Sequence, residues 1–143
     1  MSGERNPALY RTLKDVLKRR AETTTVTYEP DSIQRRYLAA EVGPGRVVPA
    51  TGPESPTLTV RWETAPPHRR FRIDYADPNT GFHCGWHRDD DHPELGPIHF
   101  QLRASGTEEP RREPARFEAE APARILWAAL DRLFGEVLPA RSE

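Results

Sequence analysis

Cysteine is nearly absent. Cys84 is the only one, so no internal disulfide can form and no oxidising compartment is implied. Lysine is almost missing as well: of the 21 basic residues, all but Lys14 and Lys18 are arginine. No apolar run approaches the ~20 residues that a membrane-spanning helix needs. The N-terminal stretch is charged and lacks the apolar centre of a signal peptide, which together reads as a cytoplasmic protein with no membrane partner. Excess charge is missing too. A net charge of -1 removes any global electrostatic case for nucleic acid and leaves only a local basic face. No internal repeat is visible.

The chain has 143 residues, which favours a single domain over 1–143. Its 15 prolines fix many turns and confine helix to a few places. Asn6-Pro7 opens the first helix with a capping side chain and a proline at its first position. Leu9, Leu13, Val16 and Leu17 then share one face. Strands are expected over Thr23–Tyr28 and Ile33–Val42, with a short edge strand over Arg46–Ala50. Four alternating segments follow: Thr57–Glu63, Arg69–Ala76, Phe82–Arg88 and Ile98–Arg103. Residues 104–115 are polar, charged and proline-bearing, and read as a mobile loop; Arg116–Glu120 reads as a short strand. Pro122 opens a last helix whose wide apolar face, from Ile125 to Val137, suits covering a sheet. The expected fold is α+β: an antiparallel β-meander of about six strands, with an N-terminal and a C-terminal helix packed on one face. Cys84, Trp62, Trp86 and Trp127 fit that core, with Trp86 near enough to a sheet edge to stack on a base.

Four of the five histidines lie between Phe71 and Gln101, with the acidic run Asp89-Asp90-Asp91. The turn Asp77-Pro78-Asn79-Thr80-Gly81 sets a register that pairs Arg72 with His87, Asp74 with Gly85 and Ala76 with His83. The same register sets Ile73 against Trp86 and Tyr75 against Cys84, so the apolar residues agree. Further turns set Arg61 against Arg72, His87 against His99 and His83 against Arg103. One row of the polar face then reads Arg61, Arg72, His87, His99, on strands about 4.8 Å apart. Gly85 beside that row marks a bulge or a close approach.

Residues of these types support phosphodiester chemistry on RNA without a metal or other cofactor. His87 and His99 would be an acid–base pair near neutral pH, with Arg72 holding phosphate and stabilising added charge. Arg61, Arg70, His83, Gln101 and Arg103 would bind the rest of the substrate. The bland alternative is a solvated sheet face whose histidines point to water. A metal-dependent enzyme is a further alternative: His83, His87, His92 and His99, with Asp89 to Asp91, offer suitable ligand types. Regular strand geometry opposes it, because His83 and His87 would lie about 13 Å apart. A bulge at Gly85 or a loop ligand such as His92 would be needed. Asp89-Asp90-Asp91 reads as a solvated loop. A third alternative is a non-enzymatic interaction or regulatory domain, with an apolar patch or an unpaired edge strand to receive a protein partner.

In the segment from Asp74 to Gln101, Asp74 or Asp77, then His92-Pro93-Glu94-Leu95, then His99 fall in an order that resembles the TumE-like family of small toxin–antitoxin proteins. That family has an Arg-rich β-meander, a His-rich segment of the form Asp-Asn-Ala-Pro-His-His-Pro-Glu, a second His cluster and a C-terminal helix. Here the second cluster is reduced to His99, and an Asp-rich insertion precedes His92. The resemblance covers roughly the second half of the chain. It implies a toxin partnered by a DNA-binding antitoxin protein and leaves the chemistry open.

Overall fold

In the computed structural model, which describes residues 7–31, 33, 36–64, 69–105 and 109–140, the alternating segments become one antiparallel sheet. It has seven strands, each paired with the next in chain order. They are β1 (Thr23–Glu29), β2 (Tyr37–Val42), β3 (Thr57–Glu63), β4 (Arg70–Ala76), β5 (His83–Arg88), β6 (Ile98–Arg103) and β7 (Arg111–Pro114). Helix α1 (Pro7–Arg19) precedes the sheet. Helix α2 (Pro122–Arg132) follows it and continues through a π-helical turn, Leu133–Val137, to Leu138–Ala140. Asn6, the expected cap of α1, lies outside the described residues, as does His68.

One face of the sheet is apolar because alternate residues of each strand point to the same side. Leu58, Val60 and Trp62 of β3, Phe71, Ile73 and Tyr75 of β4, and Cys84 and Trp86 of β5 are all buried there. Helix α1 adds Tyr10, Leu13 and Leu17; α2 and its continuation add Ile125, Leu126, Ala129, Leu130, Leu133 and Phe134. Each fully buried Val, Leu, Ile or Phe among them contributes about 1.5–3 kcal/mol of transfer free energy. Arg20 ties the two helices together. Its guanidinium bonds Glu22 at 3.0 Å and Asp131 at 2.7 Å, and lies 4.6 Å from the centre of the Trp127 ring. Trp127 is therefore a partly covered surface residue, 40% exposed, and not a core residue as expected. It stands two positions after Ile125, about 200° around the helix from it.

Several boundaries differ from the sequence reading. Strand β2 starts at Tyr37 and not at Ile33, since the Asp31 carboxylate accepts the Ile33 N–H at 2.8 Å and extends the turn. Arg46–Ala50 is a run of bends with no strand pairing. The stretch 104–115 contains β7, which pairs Arg111 with Leu102 and Pro114 with His99. All four residues of β7 are exposed, so it carries no apolar alternation to announce it. Arg116–Glu120 is not a strand; Phe117 and Ala119 instead pack against the core.

Where β2 begins and β3 ends, Tyr10 takes over from sheet pairing. The last residues matched between β2 and β3 are Leu38 and Val60. Beyond them the Tyr10 hydroxyl accepts the Trp62 N–H at 3.1 Å and directs its proton to the Arg36 carbonyl at 3.0 Å and the Trp62 carbonyl at 3.1 Å. Replacing Tyr10 by Phe keeps the ring and removes those bonds. A buried backbone group left without its partner costs about 1–3 kcal/mol. The urea midpoint of Tyr10→Phe should fall accordingly, with an unchanged slope; an unchanged midpoint would show that water replaces the hydroxyl without loss.

Candidate functional site

The polar face of β3 to β6 has the expected register throughout. Arg61 faces Arg72, Arg72 faces His87, and His87 faces His99. Asp74 faces Gly85, and Gly85 faces Gln101. No bulge interrupts the pairing at Gly85. Its role is to let Asp74 approach. A Cβ at position 85 would collide with Oδ1 of Asp74 and stand 2.6 Å from the Ile73 carbonyl oxygen.

With no side chain beneath it, the Asp74 carboxylate lies across β5 and serves two imidazoles. Oδ1 is 2.7 Å from Nε2 of His87 and 3.5 Å from Nε2 of His83. The first distance is a hydrogen bond, which sets the orientation of the His87 ring; the second is at the limit of one. Burial pushes the His83 imidazole below its usual value, against the opposing pull of Asp74.

The arginines of this face are about half exposed, but two of its histidines do not point to water. His87 and His99 are each only 2% exposed. Their rings meet edge to face, 5.2 Å between centres. The segment after β5 turns back so that the His92 ring stands 5.0 Å from that of His99, while Nδ1 of His92 lies 3.6 Å from a Glu94 carboxylate oxygen. Nε2 of His99 is buried and has no hydrogen-bond partner among the described residues. Burial first, then His87 beside it, lowers the His99 imidazole from its usual value, against the opposing effects of Asp89 and the Gln101 side chain.

Asp89 joins this group. One ligand-type atom from each of His87, Asp89 and His99 lies within 4.8 Å of the others. The signal for Asp89 was in its spacing: two residues after His87, it continues the same face of the extended chain. The sequence offered it as a ligand type within the run Asp89 to Asp91, without separating it from its two neighbours. His83, by contrast, sits on the far side of Asp74 and is outside this group.

At the same end of the sheet is a cleft of about 210 Å³, lined by Arg61, Arg70, Arg72 and Arg88 together with Glu63, Asp89 and Asp91. Three of these guanidiniums have acidic neighbours, at 3.8 Å (Arg61 to Glu63), 3.6 Å (Arg70 to Asp90) and 3.7 Å (Arg72 to Asp74). Such long, partly exposed pairs hold their partners weakly. Four guanidiniums on one small cavity present a fork-shaped donor surface suited to a phosphate or carboxylate. Of the residues expected to bind substrate, Arg61 and Arg70 line the cleft with Arg72. His83, Gln101 and Arg103 do not, because they lie further along the strands. Arg88 was missed because its parity assigns it to the apolar face; it reaches the cleft at the end of β5.

No family model matches the chain, and neither a curated protein nor a solved structure matches it, so the site is read from its own chemistry.

The Gly85 contact sets the arrangement, and Gly85→Ala tests it. The added methyl must displace the Asp74 carboxylate or part β4 from β5, at a cost of about 1–3 kcal/mol. Urea denaturation should show that loss; wild-type stability in the variant would mean that Asp74 does not lie against Gly85.

Proposed function

We propose that the protein acts on phosphate esters, with RNA as the substrate class, and that it works as the toxin-like member of a toxin–antitoxin pair. One observation carries the chemical part: Arg61, Arg70, Arg72 and Arg88 converge on a single cleft next to the buried pair His87 and His99. Guanidiniums bind a phosphodiester bidentately and offset the charge that builds on its oxygens during displacement. The reacting groups are then the imidazole pair and Asp89, which lines the cleft and also stands against both rings. The near-zero net charge fits a protein whose attraction to RNA is confined to this one cleft.

The biological part of the proposal is supported by the resemblance of the Asp74–Gln101 segment to the TumE-like family. An antitoxin partner would have a surface to use. The sheet is open, so β1 and β7 each pair along one side only among the described residues. An unpaired strand edge can accept a strand from another chain. No helix among the described residues is long and apolar enough to cross a membrane.

The cleft is tested by fluorescence anisotropy with a single-stranded RNA oligonucleotide over a range of salt. Arg72→Ala removes one charge-assisted contact of about 1.5–3 kcal/mol, so binding should weaken about tenfold to a hundredfold. The slope of log affinity against log salt should fall by about 0.7 per lost phosphate contact. Arg124→Ala, on the helix layer, should bind as wild type does. Equal binding by wild type and Arg72→Ala, or none by either, would sink the phosphate reading. Induced expression in a host without a partner gene tests the toxin reading separately: wild type should arrest growth and Arg72→Ala should not, at equal soluble protein.

A further inference from the structure

The buried histidines form more than a stacked pair. Imidazoles with both nitrogens engaged are common inside proteins and imply nothing further. Here Nε2 of His99 is buried without a partner among the described residues, which few buried polar atoms are. It belongs to the same residue whose ligand-type atom lies within 4.8 Å of those of His87 and Asp89. Tetrahedral zinc, with bonds of about 2.0–2.2 Å to nitrogen and oxygen, holds its donor atoms about 3.4 Å apart. The donors are thus already gathered to within side-chain adjustment of a coordination sphere.

The surroundings match as well. A metal-binding imidazole usually gives its second nitrogen to a carboxylate, which fixes the ring and raises its basicity. Asp74 holds Nε2 of His87 at 2.7 Å, so an ion here would take Nδ1. Gly85 provides the space that lets Asp74 do so. His92 repeats the pattern more loosely, with Glu94 3.6 Å from Nδ1 and its ring 5.0 Å from that of His99. The donors come from β5, from the residue just after it and from β6, so the paired strands preset two of the three positions.

We propose that His87, Asp89 and His99 bind one divalent first-row transition ion, zinc foremost, with His92 as the fourth donor at the mouth of the site. Two or three imidazoles with one carboxylate suit zinc and its neighbours; magnesium and calcium prefer oxygen donors throughout. The inference deepens the phosphate-ester reading of the same site. It replaces free acid–base histidines with an ion, and Asp89 puts that ion at the edge of the arginine cleft. The other residue of the sequence-based ligand set, His83, takes no part. It stands beyond Asp74, 3.5 Å from the carboxylate oxygen that also serves His87.

The test uses the full chain without a histidine tag, stripped with a chelator and titrated with zinc chloride by calorimetry. Cobalt(II) follows, for its visible absorption. Wild type should bind one ion per chain, and cobalt should give the intense bands of a four-coordinate site. Asp89→Asn changes a half-buried donor isosterically, with little risk to folding, and should weaken zinc binding at least tenfold. His99→Ala should abolish binding, with circular dichroism used to confirm the fold. Asp74→Asn should weaken it about tenfold to a hundredfold by loosening the His87 ring. Arg72→Ala should bind zinc as wild type does, so loss of RNA binding with intact zinc binding overturns only the phosphate reading. The metal site is overturned if wild type binds no stoichiometric zinc, or if Asp89→Asn and His99→Ala both bind it as tightly as wild type.

Discussion

The register of β3 to β6 is the constraint on which everything else rests. Each strand must turn Val60, Ile73, Trp86 and their neighbours toward the helices, and a slip of one residue would exchange the two faces. Once the apolar side is satisfied, the polar side has no freedom left. Arg61, Arg72, His87 and His99 must fall in one row across four strands. The site is thus a by-product of how the core packs, held by the same backbone ladders.

Within that row a smaller contact governs the chemistry. Gly85 has no side chain, so the Asp74 carboxylate can lie over β5 and bond His87. That bond fixes which nitrogen of His87 is engaged and which way its ring faces. The segment after β5 then brings Asp89 and His92 against the rings of His87 and His99. A polar strand face becomes an enclosed group with one buried nitrogen unpartnered, beside a cleft of guanidiniums. Enclosure matters because charge interactions strengthen as water is excluded. The carboxylates of Asp74 and Asp89 act on the imidazoles more strongly there than they would on an open sheet.

Much of this was legible beforehand. The turn at Asp77–Gly81 and the alternation of Ile73, Tyr75, Cys84 and Trp86 sufficed to pair β4 with β5 residue by residue. The same logic paired β5 with β6. Legibility failed where apolar alternation fails as a guide. Strand β7, Arg-Arg-Glu-Pro, is exposed on both faces and has nothing to alternate. Trp127 is aromatic yet lies off the buried face of α2, under Arg20. Asp89 was offered as a ligand type only together with Asp90 and Asp91; its spacing from His87, which keeps it on the same side of the chain, is what separates it from them. Arg88 was concealed by parity.

By itself, the sequence determined the α+β class, the two covering helices, the central register and the row of arginine and histidine. These follow from period-two alternation, turn residues and helix signals, all local along the chain. Only the tertiary structure decided that His87 and His99 are buried, that Asp74 serves His87 across Gly85, and that Asp89 joins the histidines while His83 does not. Those outcomes depend on distances between side chains of different strands and on how a loop folds back over a sheet. No local pattern encodes them, because a residue's parity fixes the face it takes and leaves open what covers it.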